Sequence, residues 1–515
     1  MKLIDSISKF TLDFSRMNIS ELDLESLQDK FTYAMYEMSK LESGAIKNPD
    51  ENRQVTHFTD RINYLYSELF NEVELFAHNI QTGVIKSGTQ KQFNSVVING
   101  IGGSILGPQL MQFAFNGQYW NEKSDKARNN YLKVYFLDNG DSAGFNDILE
   151  VIDLETTLHL CISKSGGTQE ILNNLIALEN VYTKNNLNFA DYACAITMQD
   201  SKLDKHAKTN NWLKVFPMKE SIGGRTSETS IVGHLPAALA GINFAEFIQG
   251  ALHMDSWTRE DDYKKNPALM LAAIWYLIGN GKGDRNMIII PYSDRLVLLS
   301  RYFQQLIMES LGKKLDRDGN IVNQGLNVFG NKGGTDAHAF IQQLNDGRND
   351  FFITFIEILQ DKKHIQITDN LSMGDYLHGF LYGLITALEK KNRPIISIEL
   401  PELTPAYLGM IIALYERAVA IYAEFININA YNQPGVQAYK LAAKDIIETR
   451  NNFFNQLQLP CSGTLEELIE LSSLSDKREI IAGWLNRASK NSYYNVKYFF
   501  SPDKNDWIYE IKKPE

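Results

Sequence analysis

The stretch Thr157-Leu158-His159-Leu160-Cys161-Ile162-Ser163-Lys164-Ser165-Gly166-Gly167-Thr168, followed by Gln169–Leu178, sets the reading of the whole chain. Its first six residues are an apolar run of strand length. The next six are rich in hydroxyls and glycine. Gln169–Leu178 then repeats apolar residues at helical spacing. Strand, turn and helix in that order make half of a βαβ unit. In such a turn the N–H groups of a helix start converge with side-chain hydroxyls, which suits a small phosphate. No G-x-x-x-x-G-K-[ST] is present, so a phosphate monoester on a metabolite fits better than a nucleotide. An ordinary Ser/Gly turn capping a helix is the competing reading.

The same rhythm extends both ways. Ser95–Asn99 leads into Gly100-Ile101-Gly102-Gly103-Ser104 and a helix from about Leu106. Leu132–Leu137 and Tyr192–Thr197 are further short apolar strands with helical patterns between them. This alternation predicts a parallel sheet covered on both faces. After a helical stretch at 266–280 it restarts. Met287–Ile290, Phe352–Ile358 and Pro394–Glu399 read as strands; Arg295–Leu311, Gly374–Lys390 and Pro405–Phe425 read as helices. Two α/β units follow from this, at 88–250 and 251–455, behind a helical N-terminal segment at 1–87. Residues 456–515 read as a small α+β appendage. It has a capping box at Thr464…Glu467, two short helices and a hairpin of Val496–Phe500 with Asp506–Ile511.

Bulk properties narrow the function. Net charge is −11, with both signs mixed along 515 residues, which argues against nucleic-acid or anionic-membrane partners. The apolar run Ala268–Ile278 is too short to span a bilayer. Met1-Lys2-Leu3-Ile4-Asp5 meets charge too soon for a signal peptide. Cys161, Cys194 and Cys461 offer no disulfide framework and no C-x-x-C pair, so a reducing cytoplasm is expected.

Several residues carry possible chemistry. The Gly100 turn fails the dinucleotide pattern at Ile105, yet places bare backbone at a strand's carboxyl end, where a sugar can approach. Glu309, beside Met308 and Leu311, is either a surface glutamate or a partly desolvated base. Arg225 follows two glycines, Gly223 and Gly224, that would let a ligand reach its guanidinium. His338 follows the glycine loop Gly333-Gly334, and Lys440 lies where the turn Asn432-Gln433-Pro434-Gly435 enters a helix. No His/Cys/Asp set has zinc spacing and no G-x-S-x-G elbow occurs, so a metal or serine-hydrolase mechanism is not expected.

Together these segments resemble the glucose-6-phosphate isomerase (phosphoglucose isomerase) family. Gly100–Pro108 is similar to its G-I-G-G-S-x-L-G-P, Ser163–Glu170 to S-K-[ST]-x-T-T-x-E, and Gly223–Ser230 to G-G-R-x-S-x-x-S. Gln304–Lys313, Gly333–Phe340 and Gln433–Lys440 resemble its other signatures, in order, and Met-Glu-Ser-Leu-Gly-Lys leans towards bacterial members. The resemblance covers about 90 to 445. It implies two SIS-type (sugar isomerase) αβα sandwich domains with parallel-rich sheets, a homodimer with shared active sites, and neither cofactor nor metal. The implied reaction is reversible conversion of glucose 6-phosphate and fructose 6-phosphate through a cis-enediolate, in glycolysis and gluconeogenesis. By motif, the Ser163, Lys164, Ser165 and Thr168 turn binds phosphate. Glu309 is the base and Arg225 stabilises the enediolate. His338 and Lys440 open the ring, with Glu170 orienting His338. Gly103, Ser104, Gln305 and Gln433 line the sugar. In the family the histidine reaches the neighbouring subunit's site.

Two positions depart from the pattern: Gly167 stands where threonine is usual, and Ala337 where glutamine is common. Alternatives within the same fold are a non-catalytic SIS-type sugar-phosphate sensor, or a broader isomerase that also takes mannose 6-phosphate. The presence of Glu309, Arg225, His338 and Lys440 together argues against the sensor.

Overall fold

In the computed structural model, which describes residues 1–513, the two runs of short apolar strands build two separate sheets. The first has five strands in the order Lys133–Leu137, Ser95–Asn99, Thr157–Ile162, Ala193–Thr197, Lys214–Pro217. All neighbours are parallel. Ser95–Asn99, Thr157–Ile162 and Ala193–Thr197 are buried at every position, as a sheet covered on both faces requires. The edge strand Lys214–Pro217 is short and ends in proline, so it left no strand-like run in the sequence.

The second sheet has the order Lys2–Ile4, Thr11–Arg16, Ile395–Leu400, Phe351–Ile358, Asn286–Pro291, Val328–Phe329. Its last four strands are parallel. The N-terminal hairpin adds to the edge in antiparallel sense. The helical expectation for residues 1–87 is therefore corrected at its start. Leu12 and Phe14 are buried, with the more exposed Asp13 between them, a period-two pattern that marks a strand. Helices begin only at Glu21.

Helices Phe244–Trp257 and Pro405–Phe425 pack backbone to backbone. A Cβ on Gly250 would lie 1.9 Å from the Ala406 carbonyl oxygen, and one on Gly409 would lie 2.0 Å from that of Phe247. Pro405–Phe425 is long and apolar enough to cross a membrane, but most of it is buried inside the fold. It carries Glu416 and Arg417 into a buried ion cluster. Arg61 pairs there with Glu416 and with Asp255 at 2.5 Å, and Arg417 pairs with Asp255 at 3.3 Å. Removing one member of such a set strands a buried charge.

The chain divides into two compact units, and the second starts at Gln433 rather than at 456. The reason is the helix Pro434–Gln456. Its Phe453, with Leu457 just beyond it, belongs to the same apolar core as Leu468, Ile481, Leu485 and Ile511. In this unit the strand Cys461–Gly463 joins the expected hairpin to make three strands. The capping box at Thr464 and Glu467 forms as read.

Candidate active site

The Ser163 turn sits at the carboxyl end of Thr157–Ile162, as its position in the sequence demands. It is shaped from within. Ser163 Oγ accepts from the Gly166 N–H at 3.1 Å, and Ser165 Oγ accepts from the Gly167 N–H at 3.2 Å. Gly166 has φ of +66°, and a Cβ there would lie 2.2 Å from the Leu203 nitrogen. Gly167 is different: a Cβ would meet only Ser165 Oγ at 3.5 Å. The backbone does not demand glycine there, so the hydroxyl missing at 167 is a plain change of chemistry.

Thr168 is the N-cap of helix Gln169–Lys184, yet its side chain makes no cap hydrogen bond. Its hydroxyl and the first N–H groups of the helix are thus available to an anion. Thr168→Ala is expected to weaken inhibition by inorganic phosphate by about 1.5–3 kcal/mol, the range for a hydrogen bond to a charged acceptor. An unchanged phosphate Ki would move the handle elsewhere. Glu170 is half-buried one residue into the helix. Lys164 turns to the protein instead: its Nζ donates to the carbonyls of Glu220 at 2.6 Å and Ile222 at 3.2 Å. Burial and the nearby Arg53 push it down to about 8. It fastens the Ser163 turn to the segment that leads into Gly223.

That segment meets the Gly100 turn at the closest backbone approach of the site. A Cβ on Gly103 would lie 2.0 Å from the Gly224 oxygen. Ser227 Oγ donates to the Gly103 carbonyl at 3.3 Å. Gln305 lies over the same turn, its Nε2 3.0 Å from where a Gly102 Cβ would be. Ser104 closes the turn, half-exposed.

Arg225 and Glu309 meet in this region. Arg225 Nη1 lies 3.2 Å from Glu309 Oε2, with the two side chains 7% and 17% exposed. Oε2 is buried and, among the described residues, has no hydrogen-bond partner otherwise. The guanidinium is held from behind: Nη2 donates to the carbonyls of Ala430 and Asn432, each at 2.9 Å. Burial pulls Arg225 below the ordinary arginine value, and the Glu309 carboxylate partly offsets this. A buried carboxylate oxygen beside a fixed cation can move a proton next to a developing oxyanion.

Glu309 does not sit on the single helix read for Arg295–Leu311. That stretch is a 3-10 turn at Asp294–Leu296, a short α-helix at Leu299–Phe303 and a π-helix at Gln304–Glu309. The wider winding changes which way Gln305 and Glu309 point, and such turns recur at functional sites.

Lys313 was not singled out in the sequence, although it ends the same motif. It is 5% exposed, and its Nζ donates to the carbonyls of Glu309 at 2.7 Å and Asn432 at 3.2 Å. Burial and Arg225 push it down to about 7. An unfolded lysine keeps its ordinary value near ~10.4. Between those values the unfolded chain binds a proton that the folded one does not. Lys313 should therefore make the unfolding free energy rise with pH across that window, by up to about 1.4 kcal/mol per pH unit. Urea unfolding of Lys313→Met over the same range should show a shallower rise, and an equal slope would contradict the placement.

His338 is exposed on the 3-10 turn Asp336–His338, beside the exposed Ala337. Gln433 and Lys440 belong to the second unit, with Lys440 exposed on Pro434–Gln456.

The α/β fold with two parallel-rich sheets is shared with a solved sugar-phosphate isomerase. A crystal structure of a glucose-6-phosphate isomerase from Chlamydia trachomatis is similar with a TM-score of 0.76 and 26% identity, covering 87% of this chain and 90% of that one. At the level of sequence, residues 13–378 and 385–458 match the family model "Phosphoglucose isomerase". A glucose-6-phosphate isomerase from Nostoc punctiforme is 45% identical over 91% of this chain and 90% of its own length. One from Geobacter sulfurreducens is 44% identical over 86% of this chain and 85% of its own. The chain belongs to the phosphoglucose isomerase family.

Proposed function

We infer that this chain is an enzyme that interconverts glucose 6-phosphate and fructose 6-phosphate by proton transfer. The observation that carries the reading is the buried Glu309 oxygen 3.2 Å from Arg225, in a chain of this family. Glu309 takes the proton from C2 of the open aldose, and the C–H electron pair forms the C1–C2 double bond. The C1 oxygen becomes the enediolate oxyanion, next to Arg225. Return of the proton to C1, with the O2 proton passed to O1, gives the ketose. Glycolysis and gluconeogenesis use the two directions.

The other roles complete this reading. Ser163, Ser165 and Thr168 hold the phosphate, and Lys164 holds their turn. Gly103, Ser104, Gln305 and Gln433 face the sugar. His338 and Lys440 serve ring opening, with Glu170 orienting the histidine. A homodimer with shared sites, in the cytoplasm, accounts for the exposed His338. The exposed Met373, Tyr376 and Phe380 on helix Met373–Glu389 support a partner surface. The purified chain should convert fructose 6-phosphate in a coupled assay without added metal or nucleotide; no conversion would refute the reading.

Shared sites have their own test. Glu309→Gln and His338→Ala damage different halves of a composite site. A mixed dimer then holds one doubly damaged site and one intact site. Subunit exchange between the two inactive variants, verified by native mass, should restore up to about half the wild-type activity per heterodimer. Verified heterodimers with no recovery would refute sharing and leave Glu309 untouched.

A further inference from the structure

A buried lysine next to a buried arginine needs a reason, because their charges repel in a region of low dielectric. Lys313 and Arg225 both donate to one acceptor, the carbonyl of Asn432, at 3.2 Å and 2.9 Å. Asn432 is itself held, since its side-chain amide donates to Asp50. The second Lys313 bond goes to the backbone carbonyl of Glu309 at 2.7 Å. That carbonyl lies at the end of a π-helix, where carbonyls lack partners within the helix.

The chain turns sharply to allow this. The Gly312 N–H donates to the Met308 carbonyl at 2.8 Å, and a Cβ on Gly312 would lie 2.7 Å from that same oxygen. The return brings the ammonium of Lys313 back under the residue four positions earlier. Arg225, Glu309 and Asp50 are the charged groups that face it. The result is a closed loop of contacts. Glu309 backbone, Lys313, the Asn432 carbonyl, Arg225 and the Glu309 carboxylate follow one another at bonding distance.

We propose that Lys313 is a positioning residue, a strut that fixes the base-bearing turn to the same carbonyl that orients Arg225. Its ammonium donates to the Glu309 and Asn432 carbonyls and to no group of the Ser163 turn. Its effect falls on the geometry between Glu309 and Arg225, and so on the proton-transfer step rather than on the phosphate handle. The proposal rests on the assignment of Glu309 as the base.

The test is Lys313→Met, which keeps the stem and removes the ammonium. Activity in the coupled assay and the Ki for inorganic phosphate are read on the same folded preparation. We expect kcat to fall by about 10–100-fold, the cost of a small misplacement of reacting groups, with the phosphate Ki nearly unchanged. A near-normal kcat overturns the proposal. So does a phosphate Ki that worsens in step with kcat, because general loosening of the fold would do that. If Lys313→Met does not fold, Lys313→Gln is judged by the same two readings. If neither folds, Lys313 is a folding residue and the proposal falls. The parent reading is separable: an active Glu309→Gln would refute the base, whereas an inactive Glu309→Gln with a normal Lys313→Met refutes only the strut.

Discussion

Glu309→Gln should lower kcat by roughly 10²–10⁴-fold, the usual range for a positioned general base. Glutamine keeps the shape of the side chain and removes its basicity. The guanidinium of Arg225 stays anchored to the Ala430 and Asn432 carbonyls, so the site should not collapse. The Ser163 turn lies at the carboxyl end of the central strand of the first sheet, and its hydrogen bonds do not involve Glu309. Inhibition by inorganic phosphate should therefore change little, and kcat and Ki should separate. Near-normal turnover in this variant would remove Glu309 from the role.

The second large effect is expected from a single methyl group. A Cβ on Gly103 would lie 2.0 Å from the Gly224 oxygen, 2.1 Å from its carbon and 2.7 Å from the Arg225 nitrogen. All three are backbone atoms and no rotamer can relieve the clash. The two loops must separate by more than about 1 Å to reach ordinary contact, and a shift of that size costs on the order of 10²-fold in rate. Gly103→Ala should thus lose about 10² in kcat and also about 1–3 kcal/mol of stability from overpacking. Thermal unfolding and the coupled assay check both parts. A variant with lowered stability but normal kcat would show that Arg225 does not depend on this contact.

Much of the fold was legible in the sequence. Helix Pro405–Phe425 runs between the very residues that the pattern gave, and the strands Thr157–Ile162 and Phe351–Ile358 lie where their apolar runs do. Both glycine turns fell at strand ends because a continuous apolar run followed by Gly and Ser has few other solutions. The misses share a cause: they depend on contacts between distant segments. The N-terminal strands form by joining Ile395–Leu400. The helix Pro434–Gln456 belongs to the second unit through its core, which no local signal reveals.

The site was legible as residue types and not as geometry. Glu309 looked on local sequence more like a surface glutamate than a base. What decides is the π-helix at Gln304–Glu309 together with Arg225, which is 84 positions away by its number. Lys164 read as part of the phosphate-binding turn and Lys313 was not singled out, because a lysine's target carbonyls, here Glu220, Ile222 and Asn432, leave no trace in its own neighbourhood. Gly103 read as bare backbone that a sugar could approach. Its reason is the Gly224 backbone on the other side.

The most direct measurement is proton exchange at the reacting carbon. Fructose 6-phosphate incubated with the chain in deuterium oxide and followed by NMR should yield glucose 6-phosphate with deuterium at C2, because a proton held on Glu309 exchanges with solvent before it returns. Glu309→Gln should abolish conversion and label together. Product whose C2 carries only the protium moved from C1, with no deuterium even after prolonged reversible turnover, or labelled product at an undiminished rate from Glu309→Gln, would contradict proton transfer through Glu309.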